Sequence, residues 1–348
     1  MPVRYGIIGC GAIAQRRHIP ECCANPDSKL VALADPSPGR AEGLCKQSGD
    51  GTAKAYADYK DMLKDPNVDA VIVAGPNSMH ASQSIEALNA GKHVLCEKPM
   101  ATTREDARAM IDTAKKNKRF LMIGQNQRLM PPHVRAKVIL QTGRLGKVLA
   151  FRTAFKHPGP EGWSVDAGKS WFFKKGQAFM GVTGDLGVHK ADLIRWLLGQ
   201  EFTDVGGFIS TLDKRDAEGN LIDLDDNAYL TLRTSGGIIG SMILSWTNYG
   251  VEENYTVLYC EKGTLAIGTD PIYGVQVEYR NGDRELHKVG EMATNVKQVA
   301  SGIIDSFTRD ILANNAPEID GEEGYKSLDV ILTAMEAAKQ GKTLKIGA

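Results

Sequence analysis

The sequence predicts two parts: an α/β N-terminal region on a doubly wound parallel sheet, and an α+β C-terminal region with a large, mostly antiparallel sheet. Three observations predict it. Short apolar runs alternate with helix-like stretches through the first third of the chain. A glycine-rich turn, GCGAIA at 9–14, follows the first run and opens a helix. Beyond about residue 125 the rhythm changes to consecutive strand patterns joined by short turns. The expected division is a Rossmann domain over residues 1–125 and a substrate-binding and oligomerisation domain over 126–348.

In order, RYGIIG (4–9), KLVALAD (29–35), DAVIVAG (69–75), HVLCE (93–97) and FLMIG (120–124) read as strands. Residues 82–92 and 104–118 read as helices between them. Residues 131–146 read as a helix stopped by a glycine turn, and 147–157 as a strand. A loop rich in aromatic residues fills 158–180, and a helix covers 184–198. Strands follow at 226–234, 237–247 and 254–263, with TSGG as the tight turn between the first two. Helices over 298–313 and 322–340, and TLKI at 343–346, close the chain.

The 348 residues include 42 basic and 42 acidic side chains, so no net field favours nucleic acid or an anionic membrane. No apolar run reaches the ~18 residues that predict a membrane span. MPVRYGIIG enters the strand pattern directly, so no signal peptide is expected. The six cysteines form no CxxC pair and read as reduced thiols of a cytoplasmic protein.

Gly9, Gly11 and Ala14, with Ala12 and Ile13 between them, fit the G-x-G-x-x-A fingerprint of a dinucleotide site. Gly9 permits the tight turn, Gly11 lets a pyrophosphate approach, and Ala14 lets the helix pack on the strand. The helix N-terminus offers N–H groups and partial positive charge to the phosphates. Asp35, 21 residues after Ala14, stands where an acid holds ribose hydroxyls. Its charge opposes the 2′-phosphate of NADP and predicts NAD; Arg40 argues the other way, since it can swing to a phosphate.

On the helix 184–198, Asp185, His189, Asp192 and Trp196 fall within an arc of about 60°. Either this stripe is a functional face or it is the wet side of an amphipathic helix. The spacing of Asp185, His189 and Asp192 also suits a cation, but no further His or Cys cluster supports one, and no metal is expected.

Several motifs together resemble the Gfo/Idh/MocA oxidoreductases, the glucose–fructose oxidoreductase and inositol dehydrogenase group. They are GCGAIA at 9–14, PNSMH at 76–80, EKP at 97–99, GRLGKV at 143–148 and DLGVHKAD at 185–192. The resemblance implies that Lys98, His189 and Asp185 are catalytic. It implies that Pro76, Asn77 and His80 lie beside the nicotinamide, that Glu97 and Lys98 line the cofactor cleft, and that Pro99 shapes the turn. Gly75 departs from the pattern, since many members carry threonine there.

The implied reaction is oxidation of a secondary alcohol of a sugar, inositol or glycoside, or its reverse. His189 would take the hydroxyl proton, Lys98 would stabilise the oxygen, and Asp185 would orient either the substrate's neighbouring hydroxyl or one of those two residues. In the 158–180 loop, Trp163, Trp171, Phe172 and Phe173 are expected either to stack on a sugar face or to fasten the loop. Asp166 or Lys169 would bind hydroxyls, and Lys169, Lys174, Lys175 and Lys190 would serve a phosphorylated sugar. Two rival readings accompany this one: an NAD-dependent glycoside hydrolase that recycles its cofactor internally, and a nucleotide-sensing regulator. A homodimer or homotetramer packed through the C-terminal sheet is expected.

Overall fold

A computed structural model describes residues 1–165, 171–290 and 300–347. The N-terminal sheet contains β1 Val3–Ile8, β2 Ser28–Ala34, β3 Lys54–Tyr56, β4 Ala70–Val73, β5 His93–Cys96 and β6 Leu121–Ile123. Their spatial order is β3-β2-β1-β4-β5-β6, and every pairing is parallel. The order reverses between β1 and β4, and that switch point opens a crevice outside the strands' carboxyl ends. The central strand β4 is apolar throughout because helices cover both faces of the sheet; all four of its residues are buried.

The second sheet contains β7 Val148–Lys156, β8 Phe202–Ser210, β9 Asn227–Thr234, β10 Ile239–Ser245 and β11 Glu253–Cys260. It is completed by β12 Gly263–Ile267, β13 Val275–Tyr279, β14 Arg284–His287 and β15 Leu344–Lys345. The order is β14-β13-β12-β11-β7-β10-β9-β8-β15. All pairings are antiparallel except β7 with β10. The long helices Val188–Leu198 and Gly321–Gln340 pack on one face of this sheet.

Several expected elements shift. The helix expected at 82–92 begins at Asn77, with Pro76 as its N-cap residue. The one expected at 131–146 stops at Gln141. The strand expected at 254–263 is two strands with a turn at Glu261 and Lys262. β3, β8, β13 and β14 have no counterpart among the expected strands: β3 is three residues long, and β8 carries Gly206 and Gly207, which break the apolar alternation. Helix starts do follow local chemistry. Thr103 caps Arg104–Asn117 by accepting the Asp106 N–H at 3.1 Å, and Asp320 caps Gly321–Gln340 through the Glu323 N–H at 3.0 Å. No helix among the described residues is long and apolar enough to cross a membrane.

Candidate active site

A crevice of about 1240 Å³ runs from the glycine turn to the start of the Val188–Leu198 helix. Its nucleotide end is set by backbone geometry. Gly9 has φ +88°, and a Cβ there would stand 2.9 Å from the Ala74 main chain at the end of β4. The turn therefore requires glycine on both conformational and steric grounds. A Cβ on Gly11 would project into open space, so the backbone there is open to a ligand. Ala12 and Ile13 line the crevice, while Ala14 is fully buried against the core. Asp35, just past β2, accepts the N–H groups of Cys10 and Ser37, each at 2.8 Å. Arg40 Nη1 lies 3.5 Å from the same carboxylate. Open backbone at Gly11, an acid held at the end of β2 and a helix N-terminus between them fit a dinucleotide.

Three of the expected cofactor residues also bond within the protein. Pro76, Asn77, His80 and Glu97 all line the crevice, and polar atoms of the last three also meet protein. Asn77 donates Nδ2–H to the Ala178 carbonyl at 3.0 Å, a bridge to the C-terminal half. The His80 ring nitrogens lie 2.8 Å from the Pro99 carbonyl and 2.9 Å from that of Gly75, so the ring sits between two loops and its one N–H donates to one of them. Glu97 is buried and accepts from His18 Nε2 at 2.8 Å and from the Lys98 N–H at 3.1 Å. Burial alone would raise its carboxyl; His18, with Arg17 and Lys98 nearby, instead holds it well below the usual range. Glu97 thus ties the fingerprint helix to the exit of β5.

Lys98 follows directly, and its peptide bond to Pro99 is cis. Nζ crosses the crevice to Asp185, donating to Oδ1 at 2.8 Å and to the main-chain oxygen at 3.0 Å. Asp185 sits in a π-helical turn, Thr183–Gly187, that opens the Val188 helix; such turns recur at functional sites. Asp185 Oδ2 accepts Trp246 Nε1–H at 3.1 Å, and His157 Nε2 stands 3.7 Å away, beyond hydrogen-bond distance. Burial favours the protonated acid, yet Lys98 and His157 outweigh it and keep Asp185 strongly acidic. His189 lines the same crevice. Burial, reinforced by the Lys98 charge, pushes its pKa well below the ordinary value, so the ring is neutral at physiological pH. Its Nδ1 is buried and has no hydrogen-bond partner.

The stripe expected on this helix does not act as one face. Asp192 turns into a buried ion pair with Arg128, at 2.6 and 2.7 Å, and Trp196 donates to Glu318 at 2.9 Å. Asp185 and His189 alone of the four reach the crevice. Among the described residues no group of three metal-ligating side chains occurs.

Trp163, Trp171 and Phe172 line the crevice and also pack together: Trp171 stacks on Phe172 at 4.0 Å, and Trp163 meets Phe172 edge-on at 5.8 Å. Phe172 and Phe173 in turn pack on Trp246. The aromatics therefore fasten the loop and form a wall of the crevice at once. Asp166 and Lys169 lie outside the described residues. Among the described residues, the lysines considered for a basic cluster do not converge, and Lys169 lies outside them. Lys174 lines the crevice, Lys175 pairs with Asp223, and Lys190 is fully buried, donating to Asn254 Oδ1 at 2.6 Å.

Residues that sequence reasoning missed include His18, His157 and Trp246. His18 and Trp246 bond a motif carboxylate distant in sequence and His157 stands near one, and a lone histidine or strand tryptophan carries no local signal of it.

The chain matches the oxidoreductase family with an NAD-binding Rossmann fold, Gfo/Idh/MocA, over residues 3–125, and the GFO/IDH/MocA C-terminal domain over 133–266. It is 32% identical over 251 residues to the levoglucosan dehydrogenase of Pseudarthrobacter phenanthrenivorans, covering 67% of this chain and 62% of the relative. It is 27% identical over 348 residues to the 1,5-anhydro-D-fructose reductase of Ensifer adhaerens, covering 99% and 98%. A solved structure of a levoglucosan dehydrogenase with NADH and levoglucosan has the same fold, with a TM-score of 0.87 at 23% identity over 100% of both chains. The chain belongs to the Gfo/Idh/MocA oxidoreductases and is an NAD(P)-dependent dehydrogenase.

Proposed function

We propose that this dehydrogenase moves a hydride between NAD and a secondary hydroxyl of a sugar, inositol or glycoside. The observation that carries the reading is the Lys98–Asp185 pair spanning the crevice, with His189 lining the same crevice. The nicotinamide supplies the hydride acceptor. An ammonium has three N–H donors, and Asp185 engages two of those on Lys98. The third is left for the substrate oxygen, where it stabilises developing negative charge. Asp185 meets donors at both carboxylate oxygens, so its role is to aim Lys98. His189 takes the hydroxyl proton at Nε2 and keeps its own ring proton on Nδ1. The aromatic wall of Trp163, Trp171 and Phe172 suits the C–H face of a pyranose or inositol ring. Asp35, with Arg40 drawn towards it, favours NAD over NADP.

A division at residues 125 and 126 into a nucleotide half and a substrate half is supported by the two sheets, with β1–β6 before it and β7–β15 after it. The uncovered face of the second sheet carries Phe208, Tyr229, Ile239 and Tyr259, all exposed, and supports a homodimer or homotetramer packed there. Mass determination in solution should give two or four chains, and a monomer would refute this assembly. All six cysteines are free thiols, as suits a cytoplasmic protein.

The test of function is NADH or NADPH formation at 340 nm against inositols, free sugars and glycosides. NADH should accumulate with one of these classes, with kcat/KM at least about ten-fold higher for NAD than for NADP, the worth of ~1.4 kcal/mol. Aglycone release from a glycoside without net nucleotide reduction would replace this reading by a hydrolase with a recycled cofactor.

A further inference from the structure

Gln83, one and a half turns into the helix Asn77–Asn89, is buried and lines the crevice. Its Oε1 is enclosed and has no hydrogen-bond partner. A buried, unpaired amide acceptor is destabilising unless a ligand satisfies it. The same oxygen stands 3.1 Å from where a Cβ on Gly75 would be. Gly75 also lines the crevice, and its carbonyl lies 2.9 Å from a His80 ring nitrogen. Glycine at 75 therefore leaves a space at the carboxyl end of β4, and the Gln83 amide occupies it.

We propose that the Gln83 carbonyl is a nucleotide ligand, accepting a hydrogen bond from the nicotinamide half of the dinucleotide, and that Gly75 is the residue that admits it. The proposal rests on the reading of the crevice as an NAD site. Two groups on that half carry donors, the ribose hydroxyls and the carboxamide N–H₂, and the chemistry required of Gln83 is the same for both. A side chain at 75 would push the amide by a few tenths of an ångström and compete for its place, so the two positions are coupled.

The experiment is calorimetric binding of NAD⁺, with no substrate present, to wild type, Gln83→Met, Gly75→Thr and the double variant. Methionine keeps the length and volume of glutamine and removes both polar atoms. Gln83→Met should weaken NAD⁺ by about two- to ten-fold, one neutral hydrogen bond. In the Gly75→Thr background the same change should cost much less, because threonine has already displaced the amide. Repeating the titration with 3-acetylpyridine adenine dinucleotide, which lacks the carboxamide donor, locates the partner. A penalty that disappears supports the carboxamide, and one that persists supports a ribose hydroxyl. Unchanged NAD⁺ affinity in Gln83→Met overturns the assignment, as do strictly additive effects in the double variant. If Gln83→Met fails to fold, Gly75→Thr alone decides: unchanged affinity for both dinucleotides overturns the assignment, and a selective change supports it. Wild type that binds no nucleotide would sink the cofactor reading itself, an outcome distinct from the others.

Discussion

Lys98→Met should lower kcat by roughly 10²- to 10³-fold, the usual worth of one preorganised donor at a developing oxyanion, while nucleotide still binds. Two effects follow from the geometry. The third ammonium donor is lost from the reacting oxygen, and Asp185 is left buried without the cation 2.8 Å away. The residual activity should also change its pH profile. In wild type His189 is held well below its ordinary pKa, first by burial and then by the Lys98 charge. A base must be unprotonated, so activity falls as pH drops through its pKa. Removing Lys98 removes a lowering influence while Asp185, which raises the pKa, remains. The acidic limb of the profile should therefore move to higher pH in Lys98→Met. Full turnover in this variant, or an acidic limb that stays in place, would contradict the roles given to both residues.

Lys190→Met should stabilise the protein in acid and lose that advantage in base. Lys190 follows His189 on the helix but points away from the crevice, into the sheet. Its ammonium meets Asn254 Oδ1, lies 3.4 Å from the Tyr255 carbonyl, and stands 5.7 Å from the centre of the Phe155 ring. Among the described residues no carboxylate lies within ion-pair distance of it. Burial pushes its pKa from 10.5 down to about 7. Between those two values the unfolded chain binds the proton and the folded chain does not, so this group adds stability as pH rises through the window. Below about 7 the lysine is charged in both states and the full burial penalty remains. Methionine removes that penalty but leaves the Asn254 acceptor unpaired. The difference in unfolding free energy, variant minus wild type, should fall by about 2–3 kcal/mol between pH 6 and 9, from denaturant titrations at each pH. A difference that does not vary with pH would show that Lys190 is not titrating in the fold.

The N-terminal sheet was legible because its signals are local. Apolar runs mark β1, β2, β4, β5 and β6, and GCGAIA needs only its own turn to be read. The acid at Asp35 was legible for the same reason. What stayed hidden depends on partners far apart in the chain. His18 meets Glu97 across 79 residues, Lys98 meets Asp185 across 87, and Trp246 reaches Asp185 across 61. Motif resemblance singled out Lys98 and Asp185, but nothing local says that they pair with each other. The helical wheel misjudged Asp192 and Trp196 because it cannot say which neighbour covers each flank, and Arg128 and Glu318 come from elsewhere. The π-helical turn at Asp185 departs from the 100° spacing on which such a wheel rests.

The most direct test of the central claim is isotopic. The substrate selected at 340 nm is prepared with deuterium at its carbinol carbon and turned over once by wild type with NAD⁺, and the nucleotide is then weighed by mass spectrometry. Direct hydride transfer in this crevice predicts NADH carrying the deuterium, one label per turnover. Deuterium that returns to the sugar with the nucleotide still oxidised, or that washes into water, would contradict it.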